Sequence, residues 1–488
     1  MDLARDAFVD GSWHRTHRRF PVHDPYDGAA IADVADCDDA LIDRAVDAAV
    51  RAFPAWKRRP GGERGKLLAE LARRMLADEK RLGELCVREN GKPMKEAVAE
   101  VRYAASFLSW FAGEAERLYG ETIPASHVGQ RLVAVREPVG PCAAITPWNF
   151  PYAMLTRKLG AALAAGCTMV AKPAEQTPLG ALALAQLCEE VGVPAGVVNI
   201  VPAADGARAG GRLVRARQIR KVSFTGSTEV GRAIMHACAD DVKRVSLELG
   251  GNAPFVVLAD ADVDAAVAGA LVAKFRNTGQ TCVAANRFIV EAPVARAFEH
   301  LLVAAIAKLA LGRGSDPGVD LGPLIDDDAV AKVKRLVDDA IARGATVLHG
   351  EPPRGPERSG AGSARPAGSS RLVAPIVLGN VTSQMQLWRE EIFGPVVALR
   401  VAHDEAEALA LANDTDAGLI AYVYTRDGAR QVRMAESLEA GMVGVNEGLV
   451  STAQAPFGGI KHSGQGREGS RHGLDDYMQW KYIATRVS

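Results

Sequence analysis

The chain has 488 residues, with 58 Lys+Arg against 59 Asp+Glu, a formal net charge of -1 and 48% hydrophobic residues. At about 100 to 200 residues per domain this length predicts two or three domains, and the balanced charge, without a dense Lys/Arg run, excludes an electrostatic footprint for nucleic acid or an anionic membrane. No run approaches the roughly 18 apolar residues of a membrane span, and Asp2, Asp6 and Asp10 stand where a signal peptide needs an apolar core, so a cytoplasmic protein acting on a small molecule is expected.

The first hundred residues read as packing helices. In "DDALIDRAVDAAVRAF", Leu41, Ile42, Ala45, Val46, Ala49, Val50 and Phe53 recur every three or four positions behind Asp38 and Asp39 as caps. From about 140 to 250, strand-like runs ("PCAAIT", "TMVAK", "GVVNIV", "KVSFT", "RVSLEL") alternate with helical ones, among them "YAMLTRKLGAALAAG" closed by Gly166. Such alternation predicts an α/β fold whose parallel sheet is covered on both faces and binds ligands at the carboxyl ends of its strands. A second alternating region, about 255 to 450, carries helices over "DVDAAVAGALVAKF" and "DDAVAKVKRLVDDAIARG" with strands "RFIVE", "PVVALRV", "IAYVYT" and "GMVGVN". The stretch 351–370 is too rich in Gly, Pro and Ser to bury a core and reads as a mobile surface loop.

"KVSFTGSTEVGRA" places Gly226 and Gly231 between a strand and a helix, but Arg232 and Ala233 follow where a P-loop needs Lys and Ser/Thr. What survives is a helix start that, with Ser227, can hold a pyrophosphate; taken alone the stretch reads equally as a plain strand-to-helix turn. "VAKPAEQTP" sets Lys172 and Glu175 at another strand end, where a Glu accepts from ribose hydroxyls and repels a 2'-phosphate, favouring NAD over NADP.

The seven cysteines show no Cys-x-x-Cys pair and no zinc spacing, and there is no His-Glu-x-x-His, so reduced thiols and no metal are expected. Cys282 differs in its setting of small and polar residues, "GQTCVA". A free thiol is only about 3% thiolate at pH 7, yet modest local help makes it a nucleophile for carbonyl carbon. "LELGGNAP" offers Glu248 as a base.

The set "TPWNFP" (146–151), "KPAE" (172–175), "FTGS" (224–227), "LELGG" (247–251), "GQTC" (279–282), "EEIFGP" (390–395) and "PFGGIKHSGQGREG" (456–469) resembles the aldehyde dehydrogenase superfamily, in order and across nearly the whole chain. "FRNTGQTCVAANR" and "GREGSRHGLDDY" are most similar to its succinate-semialdehyde dehydrogenases. The resemblance implies a Rossmann-like NAD-binding domain over 1–117 and 138–247, a catalytic α/β domain over 248–446, and a bridging β element over 118–137 and 467–488 that makes a homodimer or homotetramer. By the same resemblance Cys282 is the nucleophile, Asn149 and the Cys282 N–H hold the oxyanion, and Glu248 activates the water that hydrolyses the thioester. Lys172 and Glu175 take the adenosine ribose, and Gly226, Ser227 and Gly231 form the pyrophosphate turn. Glu391 and Phe393 take the nicotinamide ribose and ring of NAD (or NADP), Trp148 is a further cofactor-binding residue, and Arg157, Arg276 and Ser451 grip the substrate's distal carboxylate.

The expected reaction is oxidation of succinate semialdehyde to succinate, with glutarate semialdehyde or a phosphonate- or sulfonate-bearing aldehyde as alternatives, since paired arginines accept any compact anion. A thiol esterase or acyltransferase, or a non-catalytic relative, stand as remote alternatives. Glu248 argues against the acyl-CoA-forming branch. Three features depart from the family: Ala284 replaces a second cysteine, so a neighbouring disulfide switch is not expected; Tyr152 is bulkier than usual and is expected to reshape the entrance; the 351–370 loop is long.

Overall fold

A computed structural model describes residues 3–353 and 371–487. Most of the expected 351–370 loop therefore lies outside the described residues. Five parallel strands form the heart of the first sheet, in the spatial order Val198–Ile200, Met169–Lys172, Cys142–Ile145, Lys221–Thr225, Arg244–Glu248. The chain enters at the middle strand, fills one side and then the other. Order therefore reverses about Cys142–Ile145, opening a crevice beyond its carboxyl end where Trp148 and Asn149 follow.

Helix Ala153–Ala165 packs behind that crevice and every residue in it is buried. Each buried leucine (Leu155, Leu159, Leu163) contributes about 1.5 to 3 kcal/mol, and Gly166 ends the helix in the left-handed region at φ 94. Helix Asp39–Arg58 starts as read, with the Asp38 side chain accepting from Leu41 N at 2.8 Å.

The helical reading of the first hundred residues needs correction at its start. Ala7–Val9, Ser12–His14, Arg19–His23 and Ala30–Ala35 are strands, and the first two extend the sheet antiparallel at its edge. Those two have three residues each, too few to display a period of two, whereas Arg19–His23 and Ala30–Ala35 pair only with each other, outside the strand and helix alternation.

The chain passes to the second sheet through Leu249–Asn252, between strands Arg244–Glu248 and Ala253–Val257. That sheet runs Thr346–His349, Ile376–Gly379, Val396–Ala402, Ala285–Glu291, Ala253–Val257, Ile420–Tyr424, Met442–Val445, parallel except at its first edge. A third sheet pairs Gln130–Pro138 with Glu121–Ile123 and Met478–Arg486. The tail takes up this third sheet only at Met478. Before it, Arg471–Tyr477 turns back against helix Ala153–Ala165 with Leu474 and Tyr477 buried. No helix among the described residues is long and apolar enough to cross a membrane.

Candidate active site

Cys282 follows a backbone that bends sharply after helix Val263–Phe275. Asn277 and Thr278 have φ of 50 and 57 and Gly279 has 77, three successive left-handed residues. For the two side-chain-bearing residues this conformation costs roughly 1 to 2 kcal/mol each. A Cβ at Gly279 would also lie 2.4 Å from the Gly394 carbonyl oxygen. Buried hydrogen bonds offset the strain: Asn277 N donates to Glu96 at 2.7 Å, Thr278 Oγ1 to Gly322 O at 3.1 Å, and Gln280 Oε1 accepts from Ile325 N at 2.9 Å.

Cys282 keeps partial exposure, unlike the six other free cysteines, which are buried. Burial around the sulfur pushes its thiol well above the ordinary range, with the Glu248 charge adding and Arg157 opposing. Glu248 ends strand Arg244–Glu248, opposite Thr225. Both its carboxylate oxygens are buried without a hydrogen-bond partner among the described residues. Burial lifts this group to about 7, against the pull of the Arg157 and Lys158 cations.

Asn149 is buried, its Nδ2 donating to Gln280 O at 3.1 Å and its Oδ1 left without a partner among the described residues. With Cys282, Glu248, Trp148, Gly226, Ser227, Glu391 and Phe393 it lines one cavity of about 350 Å³. Larger open grooves lie elsewhere, one of about 620 Å³ beside Trp13, but that one holds none of these groups.

Trp148 meets Phe393 edge-on, ring centroids 5.6 Å apart, and Phe393 itself has φ 56. Glu391 accepts from Gly251 N at 3.0 Å, and a Cβ at Gly250 would lie 2.7 Å from Glu391 Oε2, so a side chain there would displace the Glu391 carboxylate. Burial raises Glu391 to about 7. Ser227 caps helix Thr228–Ala239, accepting from Val230 N at 3.3 Å, and puts the positive helix end at the cavity. Lys172 and Glu175 pair at 2.9 Å at the end of strand Met169–Lys172, two strands away. This series of unfilled backbone space, helix start and strand-end carboxylate fits a dinucleotide. Gly231 stands apart: it lies inside that helix, where a Cβ would meet the Leu249 side chain at 2.6 Å, so the helix packs closely on the segment just after Glu248.

Of the residues expected to face the substrate's far end, Arg157 is fully buried. Its Nε lies 2.9 Å from Glu468 Oε2 and its guanidinium 4.2 Å above the Phe457 ring, yet none of its nitrogens has a hydrogen-bond partner among the described residues. Burial opposes its charge, and Glu468 together with Tyr103, Glu248 and Cys282 more than offsets that, so its pKa is raised. Arg276 covers the Phe150 ring at 4.8 Å with its Nε likewise unpartnered. Ser451 is half-buried on the segment leading to Phe457. Tyr152 corrects an expectation: it is fully buried, its hydroxyl donating to Leu82 O at 3.1 Å, and shapes no entrance.

The sequence reading missed a buried polar set around these groups. Lys158 Nζ donates to Thr225 Oγ1 at 2.6 Å and to Glu468, and Lys92 Nζ donates to Asn149 O at 2.8 Å. Tyr103 Oη is buried without a partner among the described residues, its ring against Phe107, whose face lies under Arg157. One signal was available: Glu100 falls on the apolar stripe of Ala97, Val101 and Ala104, where a carboxylate is buried only with partners.

The aldehyde dehydrogenase family model matches residues 13–483. Glutarate-semialdehyde dehydrogenase of Pseudomonas putida is 48% identical over 485 residues, covering 99% of this chain and 98% of that protein. The NADP(+) succinate-semialdehyde dehydrogenase of Escherichia coli K12 is 48% identical over 481 residues, covering 98% and 97%. The crystal structure of succinate-semialdehyde dehydrogenase from Burkholderia pseudomallei superposes with a TM-score of 0.94 at 46% identity, over 99% of this chain and 98% of that one.

Proposed function

This chain belongs to the aldehyde dehydrogenase family and is an NAD(P)-dependent oxidoreductase; on that premise we propose that it oxidises a short aldehyde with an anionic far end, foremost succinate semialdehyde, to the carboxylic acid. The observation that carries the substrate reading is Arg157, a buried cation with unused donors. Glu468 balances its charge from the Nε side at 2.9 Å, and the Nη donors, without a hydrogen-bond partner among the described residues, are those a substrate carboxylate would take up. Arg276 and Ser451 complete the proposed anchor. Two relatives of equal identity bear the names of the glutarate and succinate semialdehyde enzymes, so glutarate semialdehyde is the second reading.

In the proposed mechanism the Cys282 thiolate adds to the aldehyde carbon. The resulting oxyanion is held by Asn149 Nδ2 and the Cys282 N–H, a stabilisation worth about 10² to 10³ in rate per donor. NAD(P), when bound, supplies the hydride acceptor. Gly226, Ser227 and the helix start behind them would hold its pyrophosphate, Lys172 and Glu175 its adenosine ribose, and Trp148, Glu391 and Phe393 its nicotinamide end. Glu248 then takes a proton from the water that splits the thioester. Its lift to about 7 suits a base that must hold and release a proton near neutrality.

Glu175 supports NAD over NADP, although one close relative is named for NADP(+). Trp480, Tyr482 and Ile483 stand exposed on strand Met478–Arg486 and support a homodimer or homotetramer formed through that sheet. Steady-state kinetics with succinate semialdehyde, glutarate semialdehyde and propanal, each with NAD and NADP, tests the reading. The semialdehydes should exceed propanal in kcat/KM by about tenfold or more, as one charge-assisted contact supplies; equal values for all three would remove the anionic substrate class.

A further inference from the structure

The segment from Glu89 to Glu100 belongs to none of the strands that carry the site, yet five of its polar side chains hold the backbone around it. Glu89 accepts from Leu179 N and Gly180 N, both at 2.8 Å, where helix Pro178–Glu190 begins. Glu100 accepts from Tyr152 N at 2.9 Å, just before helix Ala153–Ala165. Glu96 takes Asn277 N, and Asn90 Nδ2 donates to Trp148 O at 3.1 Å. Lys92, with its side chain wholly out of solvent, donates to Asn149 O at 2.8 Å and pairs with the equally buried Glu100.

A buried ion pair of this kind gains little stability over a well-packed apolar pair. Its use must be sought in what it orients. Asn149 O receives a second bond from Asn277 Nδ2 at 3.0 Å, and the preceding carbonyl, Trp148 O, is held by both Asn90 and Thr177. The peptides on both sides of the Asn149 Cα are thus pinned. The Asn149 side chain spends one of its two N–H bonds on Gln280 O, which directs the other.

We propose that Lys92 is a positioning residue for the reaction: by fixing the Asn149 carbonyl, with Glu100 balancing its charge, it aims the free Nδ2–H of Asn149 at the oxygen of the reacting aldehyde. This rests on the oxyanion role proposed for Asn149. A displacement of about 1 Å in such a donor is enough to slow chemistry by 10- to 100-fold.

The test is a double-mutant cycle of Lys92→Met with Asn149→Ala, reading the rate of first-turnover NADH formation alongside the NAD dissociation constant. Lys92→Met should slow the first turnover by about tenfold or more in the parent and by less than about threefold once Asn149 is alanine, with NAD affinity unchanged. Equal slowing in both backgrounds overturns the proposal, because a general structural defect does not act through the amide. Should Lys92→Met fail to fold, Asn277→Ala removes the second donor to the same carbonyl and goes through the same cycle with the same two outcomes. A parent chain that forms neither NADH nor NADPH from any aldehyde would overturn the dehydrogenase reading itself, before any variant is made.

Discussion

Arg157 lies 2.9 Å from Glu468 Oε2 with both side chains all but closed to solvent. Removing one member of a buried pair strands the other, at roughly 3 to 5 kcal/mol. Lys158 still pairs with Glu468, so Arg157→Met should lose stability nearer the lower end of that range, read by denaturant unfolding. An unchanged unfolding midpoint would make the pair an idle contact.

Arg276 stacks on Phe150 and leaves its Nε unpaired. Arg276→Ala should raise KM for succinate semialdehyde by about 10- to 100-fold, the equivalent of one charge-assisted hydrogen bond, and leave KM for propanal nearly as it was. Parallel changes for the two substrates would return Arg276 to a packing role.

Cys282→Ala should abolish NADH formation while NAD still binds, checked by fluorescence titration. Glu248→Gln should keep a first-turnover burst and lose steady turnover, since the base acts after oxidation. Loss of burst and steady rate together would contradict the assignment of Glu248 to deacylation.

Glu248 also predicts two pH dependences of opposite sense. Lifted to about 7, it is the active base only when ionised, so steady turnover should climb as pH rises toward 7 and level off above it. Stability runs the other way. The folded chain keeps a proton that the unfolded chain releases from about 4.5 upward, so this group's contribution is lost as pH rises from 4.5 through 7. The shift corresponds to on the order of 3 kcal/mol. Glu248→Gln should therefore be more stable than the parent at pH 8 and little different at pH 4 in denaturant titrations. A constant difference across that range would show that the carboxyl is not titrating in the fold.

Motifs whose meaning is local were legible early. The five parallel strands from Cys142 to Glu248, the Gly166 cap and the Asp38 cap follow from periodicity and capping chemistry, and Cys282 stood out because its neighbours are too small and polar for a core thiol. The strands before Asp39 were not legible, and neither was Thr346–His349, because they lie at sheet edges or in a two-stranded ribbon, outside the strand and helix alternation that marks the five parallel strands. The spacing of Gly231 from Gly226 suggests a phosphate turn, whereas in the fold Gly231 lies inside helix Thr228–Ala239 against the side chain of Leu249, just past strand Arg244–Glu248.

By itself the sequence determined the family the chain resembles, the alternation in its two α/β regions and the candidates for nucleophile and base, since each rests on residues near one another along the chain. Only the tertiary structure decided which polar groups lie out of water and whom they face. Lys92 on Asn149, Arg157 on Glu468 and Lys158 on Thr225 join segments distant in the chain. The balance of desolvation against pairing that sets a buried charge is a property of the packed neighbourhood, which local spacing does not encode.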